Sequence, residues 1–242
     1  MRMKDRRTEW LDGAKQGIPI ACGYFFVSFT FGILGASLGF RWWESVLISM
    51  TNLTSAGQVA GVQTIAAGGS IAELALSQFV INVRYSLMGI SLSQNTDEDF
   101  SGAKRAALGF GITDEIYAVA VNRPVPVTPM FMFGLITLPY FGWALGTLAG
   151  ALFGNALPTR VTEVMTLAIY GMFIAIVLPK ARTDRGVLGV ALLAAGISCL
   201  LYFVPALKAI PVGFAIIICA IAAAVAGALL FPVAEAGGGA DA

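Results

Sequence analysis

Eight apolar runs, separated by short polar or charged breaks, dominate the pattern of this chain and predict membrane-spanning helices at 18–40, 46–67, 71–92, 106–121, 130–153, 161–178, 187–204 and 212–231. The 106–121 run is the shortest and holds Asp114 and Glu115, so it reads as a short span, a re-entrant element or an interfacial helix. The segment before the first run (MRMKDRRTEWLDGAKQ) carries both signs of charge and no apolar signal region, and reads as a cytoplasmic or interfacial leader over 1–17. The run of helices fills 18–233 as one transmembrane domain, and the Gly/Ala-rich stretch 234–242 reads as a disordered tail.

Composition fixes the class. At 57% hydrophobic and 12% charged residues, with a mean hydropathy of +0.81, the chain has too little polar surface to coat a soluble globule. The expected fold is an all-α polytopic membrane protein of about seven or eight transmembrane helices, with broken or re-entrant elements and two internal repeats among its options. Lys4, Arg6, Arg7 and Lys15 at the start and Lys180, Arg182 and Arg185 later both claim the cytoplasmic side, which requires an even number of crossings between them. If all six intervening runs cross, Lys104 and Arg105 fall outside. A second even count arises if 46–67 is re-entrant and 106–121 does not cross. The net charge of +1 gives no basic face for nucleic acid. Cys22, Cys199 and Cys219 sit in apolar runs without CxxC spacing, so neither a disulfide framework nor a metal or cofactor site is indicated.

An internal echo relates FGILGASLG (31–39) to FGWALGTLAG (141–150), each followed by an Arg and then a Glu, Arg41 and Glu44 in one case and Arg160 and Glu163 in the other. Such repeats occur in secondary transporters, with the binding site between them. Gly142, Gly146, Gly150 and Gly154 form a stripe at four-residue spacing that admits close approach of another helix, of this chain or of another polypeptide.

Polar residues inside the apolar runs carry the candidate chemistry. Thr51, Thr54, Ser55 and Gln58 fall on one face if 46–67 is a single helix, and Gly57 and Gly61 would permit that helix to unwind and free backbone groups. Arg84 lies near the middle of the 71–92 run, where burying a guanidinium costs from about 2.5 to more than 10 kcal/mol, so it is expected to face a wet cavity or a protein partner. Asn82 and Arg84 point about 200° apart on a helix, so one is expected to line a site and the other to brace a neighbour. Glu73 is about 16 Å along the axis from Arg84, which makes Asp114 or Glu115 the better partner. Adjacent carboxylates diverge on a helix. One of them, desolvated, would suit proton transfer, while the other would suit a helix start.

Together GIPIACGYFFVSFTFG, TSAGQVAG, NVRYSLMG and TDEIYAV, in that order, resemble the AzlC-type branched-chain amino acid permease family. The resemblance runs from about Gly17 to the charged loop near Lys180. It rests on Gly57 and Gln58, on Asn82 and Arg84, and on Thr113, Asp114 and Glu115. It implies a multi-pass protein of the bacterial inner membrane that exports branched-chain amino acids, and methionine, driven by the proton-motive force. It also implies a small hydrophobic AzlD-type partner subunit; the oligomeric state is left open, a homo-oligomer included. The family pattern often has His after the Arg, where this chain has Tyr85 and no histidine anywhere, which excludes an imidazole relay. On this reading Gln58, Ser55, amides near Gly57, and Arg84 hold the substrate carboxylate, while Asn82 and backbone carbonyls hold the ammonium. Asp114 or Glu115 couples to protons, and Phe25, Phe29 and Phe31 wall the pocket.

Two other classes compete. An intramembrane Ser–His protease needs an imidazole, and an aspartyl protease needs a second intramembrane Asp; the sequence offers neither, so no enzyme is expected. A non-transporting scaffold or channel subunit of a hetero-oligomer is the remaining alternative, favoured by the glycine stripe.

Overall fold

A computed structural model describes residues 3–154, 158, 160, 174, 177–178, 181–207 and 209–231. All but three residues of the 161–178 run, together with Glu163 and the 234–242 tail, lie outside the described residues. The elements are α1 (Met3–Ser37), α2 (Trp42–Thr51), α3 (Ser55–Ala66), α4 (Ile71–Ser93), α5 (Gly102–Gly109), α6 (Asp114–Val121), α7 (Pro129–Phe153), α8 (Arg185–Phe203) and α9 (Val212–Leu230), with a 3-10 turn at Pro205–Leu207. Among the described residues, four helices are long and apolar enough to cross a membrane: Arg6–Ser37 of α1, and α7, α8 and α9. The 23 residues of α4 are long enough as well, but more polar. The leader is no separate element, because α1 runs from it into the first span without a break.

Helices α1 and α7 form the spine. The carbonyls of Trp10, Phe25 and Phe29 press against Gly134, Gly146 and Gly150, and those of Phe131 and Thr147 against Gly13 and Gly32. Both series rise together, so the two helices lie parallel with backbones in contact. Lipid offers no hydrophobic drive for helix association, and close backbone approach supplies dispersion contact instead. The glycine stripe is therefore filled by α1 of the same chain. The backbones of Phe25 and Phe29 belong to this seam, while Phe31 is buried with Leu34, Val59 and Val62.

Where α1 begins may be called the near end and where it stops the far end. Two expected spans do not cross between them. The 46–67 run is two half-length helices of 10 and 12 residues broken at Asn52–Thr54, where the backbone is extended. It enters from the far end, with Ser45 against Gly35 and Ile48 packed on the cluster of Phe31, Leu34, Val59 and Val62. Its tip sits at mid-depth, where Leu53 packs on Tyr24 and Trp143, before α3 climbs back along Phe31 and Leu34. Thr51 thus ends α2 and Thr54 caps α3, so the one-face stripe of Thr51, Thr54, Ser55 and Gln58 does not exist. The break falls before Gly57, not at it.

The 106–121 run is likewise a hairpin, opening from the near end. Phe100, Ile116, Ala120 and Leu92 share a core cluster with Val127 and Phe131 at the start of α7. Its tip reaches mid-depth, where Gly111 meets Ile136 and the Phe110 ring lies 6.2 Å from that of Tyr140. Between the hairpins α4 passes from far to near, ending where Asn95 accepts from the Val127 amide at 2.8 Å. Lys104 and Arg105 consequently lie at the same end as Arg6, as the second even count requires. A crossing helix followed by a re-entrant hairpin is used twice with opposite sense, α1–α3 and then α4–α6. This inverted duplication is not the one the echo suggested, whose two segments lie on the parallel pair α1 and α7.

Turns join these parts with little chain. Gly39 and Gly68 adopt φ values of 88° and 72°, a left-handed conformation that favours glycine, at the far-end turns into α2 and α4. At that end Glu73, 3% exposed, accepts from the Gly213 amide at 2.7 Å and so anchors the start of α9. Helices α8 and α9 form an antiparallel hairpin with Phe231 against Gly186 and Gly189, and α8 has no buried residue among those described. Leu188, Leu192, Leu200 and Phe203 of α8 are exposed, as lipid-facing side chains of a spanning helix would be.

Candidate functional site at the two hairpin tips

Each tip returns into a helix through a threonine cap. Thr54 accepts from the Gly57 amide at 3.1 Å and Thr113 from the Ile116 amide at 3.4 Å, so α3 and α6 both start at mid-depth with their positive ends inward. Thr-Ser-Ala-Gly and Thr-Asp-Glu-Ile occupy equivalent places. Asp114 and Glu115 fill the first turn of α6, whereas the first turn of α3 carries no acidic residue, and its Ser55 and Ala56 amides have no acceptor within the helix.

Helix α4 passes both tips. Its Gln78 Nε2 donates to the Gly57 carbonyl at 2.8 Å and its Asn82 Nδ2 to Gln78 Oε1 at 3.1 Å, which fastens α3 to α4. Two residues on, Arg84 reaches the other tip, with one guanidinium nitrogen 3.0 Å from Asp114 Oδ2 and another donating to the Tyr85 hydroxyl at 3.0 Å. Asp114 is thus the partner of Arg84, and Glu73 is engaged elsewhere. The Tyr85 hydroxyl also faces Thr54, so a tyrosine stands between the arginine and the α3 cap. Asn82 and Arg84 face different hairpins, as their angular separation requires. Two atoms here are buried without a hydrogen-bond partner, Asn82 Oδ1 and Arg84 Nε. One is an acceptor and the other a charged donor. An orphaned buried polar atom costs about 1–3 kcal/mol, more when charged.

Gln58 does not open onto that place. It is 1% exposed, donates to Ser49 Oγ at 2.9 Å and accepts from the Trp143 indole at 2.9 Å, and Ser49 Oγ lies 2.7 Å from Thr147 Oγ1. This network ties both arms of the far hairpin to α7. Trp143 in turn meets Tyr24 edge-on at 5.1 Å. The Tyr24 hydroxyl lies 2.5 Å from Thr113 Oγ1 and 2.7 Å from Glu115 Oε2, and its single proton serves only one of them at a time. Tyr24, Trp143 and Tyr85 were not singled out from the sequence as site residues. Aromatic residues are ordinary in apolar helices, and their partners are up to 91 residues away. The two threonine caps could have been found, as Thr before a short polar triplet and an apolar run is a helix-start signal.

The comparisons with known proteins agree with this architecture's class. Residues 19–157, more than half of the 242-residue chain, match the model of the AzlC protein family. The chain is 32% identical over 152 residues to the inner membrane protein YgaZ of Escherichia coli, an alignment covering 61% of this chain and 62% of YgaZ. It is 23% identical over 171 residues to the branched-chain amino acid transport protein AzlC of Bacillus subtilis, covering 69% of this chain and 66% of that protein. A membrane protein of Archaeoglobus fulgidus is 29% identical over 172 residues, covering 70% of this chain and 75% of its own length. No solved structure matches. The chain is an integral membrane protein and belongs to the AzlC family.

Proposed function

We propose that this protein is a secondary transporter of branched-chain amino acids in the bacterial inner membrane, with the substrate held between the two hairpin tips beside α4. The observation that carries the reading is the pair of buried, unpartnered atoms there. A branched-chain amino acid presents a carboxylate, an ammonium and an apolar side chain. Arg84 Nε and the free amides of Ser55 and Ala56 suit the carboxylate, and Asn82 Oδ1 suits the ammonium. Gly57 lets α3 lie this close to α4, since a Cβ there would stand 2.7 Å from Gln78 Oε1, 2.8 Å from Thr54 Oγ1 and 3.2 Å from Asn82 Nδ2. Gln58 acts from behind, holding the far hairpin against α7. The name of the Bacillus subtilis relative supports branched-chain substrates.

Export as the direction, methionine as a further substrate, coupling to protons through Asp114 or Glu115, and a small AzlD-type partner belong to the same proposal. The inverted hairpins provide for alternating access, because each closes the site from one end. The scaffold or channel alternative drew on the glycine stripe, and α1 of the same chain occupies it. Liposomes containing the protein, with and without an AzlD-type subunit, should take up labelled leucine in exchange for unlabelled leucine. Arg84→Ala and Asn82→Ala should abolish the exchange, and full flux in both variants would remove the site from the mechanism.

A further inference from the structure

A cavity lies at the near end, away from the proposed transport site. It measures about 470 Å³ and lies between α5, the start of α7 and the leader part of α1. Arg6 and Lys104 stand over it, and Ala107, Leu108, Met130 and Phe133 make its inner wall. Neither cation forms an ion pair among the described residues. The Arg6 guanidinium donates only weakly, to the Met130 sulfur at 3.8 Å, and Lys104 Nζ donates to the Asp99 carbonyl at 2.6 Å. Asp99 lines the same cavity, so the rim holds two cations and one carboxylate.

We propose that this cavity is a specific site for an anionic glycerophospholipid of the phosphatidylglycerol type. A phosphodiester between Arg6 and Lys104 would give both cations the anionic partner they lack, and the headgroup glycerol hydroxyls would donate to Asp99. One acyl chain would follow the wall of Leu108 and Phe133, the latter 53% exposed, toward the membrane interior. The net charge of the rim favours a lipid that is negative overall. The position agrees with the rule that basic pockets at the cytoplasmic ends of spanning helices bind anionic headgroups. A separate observation shows what the lipid would do. Helix α5 has no buried residue, so protein packing alone holds the first arm of the near hairpin loosely, and a lipid wedged between it and α7 completes that packing.

Native mass spectrometry of the full chain released from detergent, with phosphatidylglycerol, phosphatidylethanolamine or phosphatidylcholine added, tests the site. The natural sequence should retain phosphatidylglycerol preferentially. Arg6→Gln with Lys104→Gln should weaken that retention about 30-fold, from roughly a fivefold contribution per cation. Lys104→Arg should keep it, and Arg182→Gln, away from the cavity, should leave it unchanged. Retention of phosphatidylcholine should be equal in all variants, which separates loss of the site from loss of fold. Equal retention of phosphatidylglycerol by the double variant, or of phosphatidylethanolamine by the natural sequence, would overturn the assignment. So would thermal stabilisation by glycerol phosphate alone that matches the intact lipid, since the site would then be one for a free anion.

Discussion

Replacing Gln58 by Leu tests the network that fixes the far hairpin. Leucine is one bond shorter but of similar volume, so the change removes two hydrogen bonds while leaving little empty volume. Ser49 Oγ loses a donor but keeps Thr147 at 2.7 Å, whereas the Trp143 indole, buried at 3% exposure, loses its acceptor altogether. Orphaning a buried donor costs about 1–3 kcal/mol, so Gln58→Leu should lower stability by about 2 kcal/mol. Trp143→Phe orphans Gln58 Oε1 and opens space beside Tyr24, and should cost at least as much. Removing both partners together leaves neither orphan. The double variant should therefore be more stable than the sum of the singles predicts. Side-chain hydrogen bonds within a helical membrane protein couple by about 0.6 kcal/mol on average and at most about 1.7, and this pair, with both groups shut away from water, belongs at the upper end. The measurement is a double-mutant cycle by reversible unfolding in mixed micelles. Additivity within about 0.3 kcal/mol would show that the indole and the amide do not interact, and the far hairpin would need another anchor.

Gly150→Ala should destabilise by about 1–3 kcal/mol in a detergent melting assay, because its Cβ lands on the Phe29 carbonyl, whereas Gly23→Ala, with nothing within 4 Å, should be neutral. Arg84→Lys should lose at least tenfold in leucine exchange, because the three donors of an ammonium sit on one nitrogen and cannot span Asp114, Tyr85 and a ligand as the three guanidinium nitrogens do. Lys104→Cys, in a background without Cys22, Cys199 and Cys219, should react with an impermeant maleimide from the same side as the N-terminal segment, and Ala67→Cys from the opposite side. Labelling of both from one side would contradict the inverted hairpins.

Hydropathy alone determined that this chain lives in a membrane, because no arrangement of so many apolar residues could be covered by so few polar ones. The cost of an unpaired guanidinium in lipid likewise pointed Arg84 toward Asp114 or Glu115, and helix geometry set it apart from Asn82; the fold chose Asp114. Where the hydropathy reading erred, it erred for a definite reason. Two half-helices of 10 and 12 residues have the same summed length and apolarity as one crossing, so a window cannot distinguish a hairpin from a span. What turns each hairpin back is tertiary: Leu53 and Gly111 meet the α1–α7 spine at mid-depth, and Thr54 and Thr113 satisfy the amides exposed by the break. Gln58 shows the same division. The sequence marks it as polar in a greasy segment, but only folding brings Trp143 from 85 residues away to accept its role as a brace and leaves Asn82 and Arg84 with the unfilled valences.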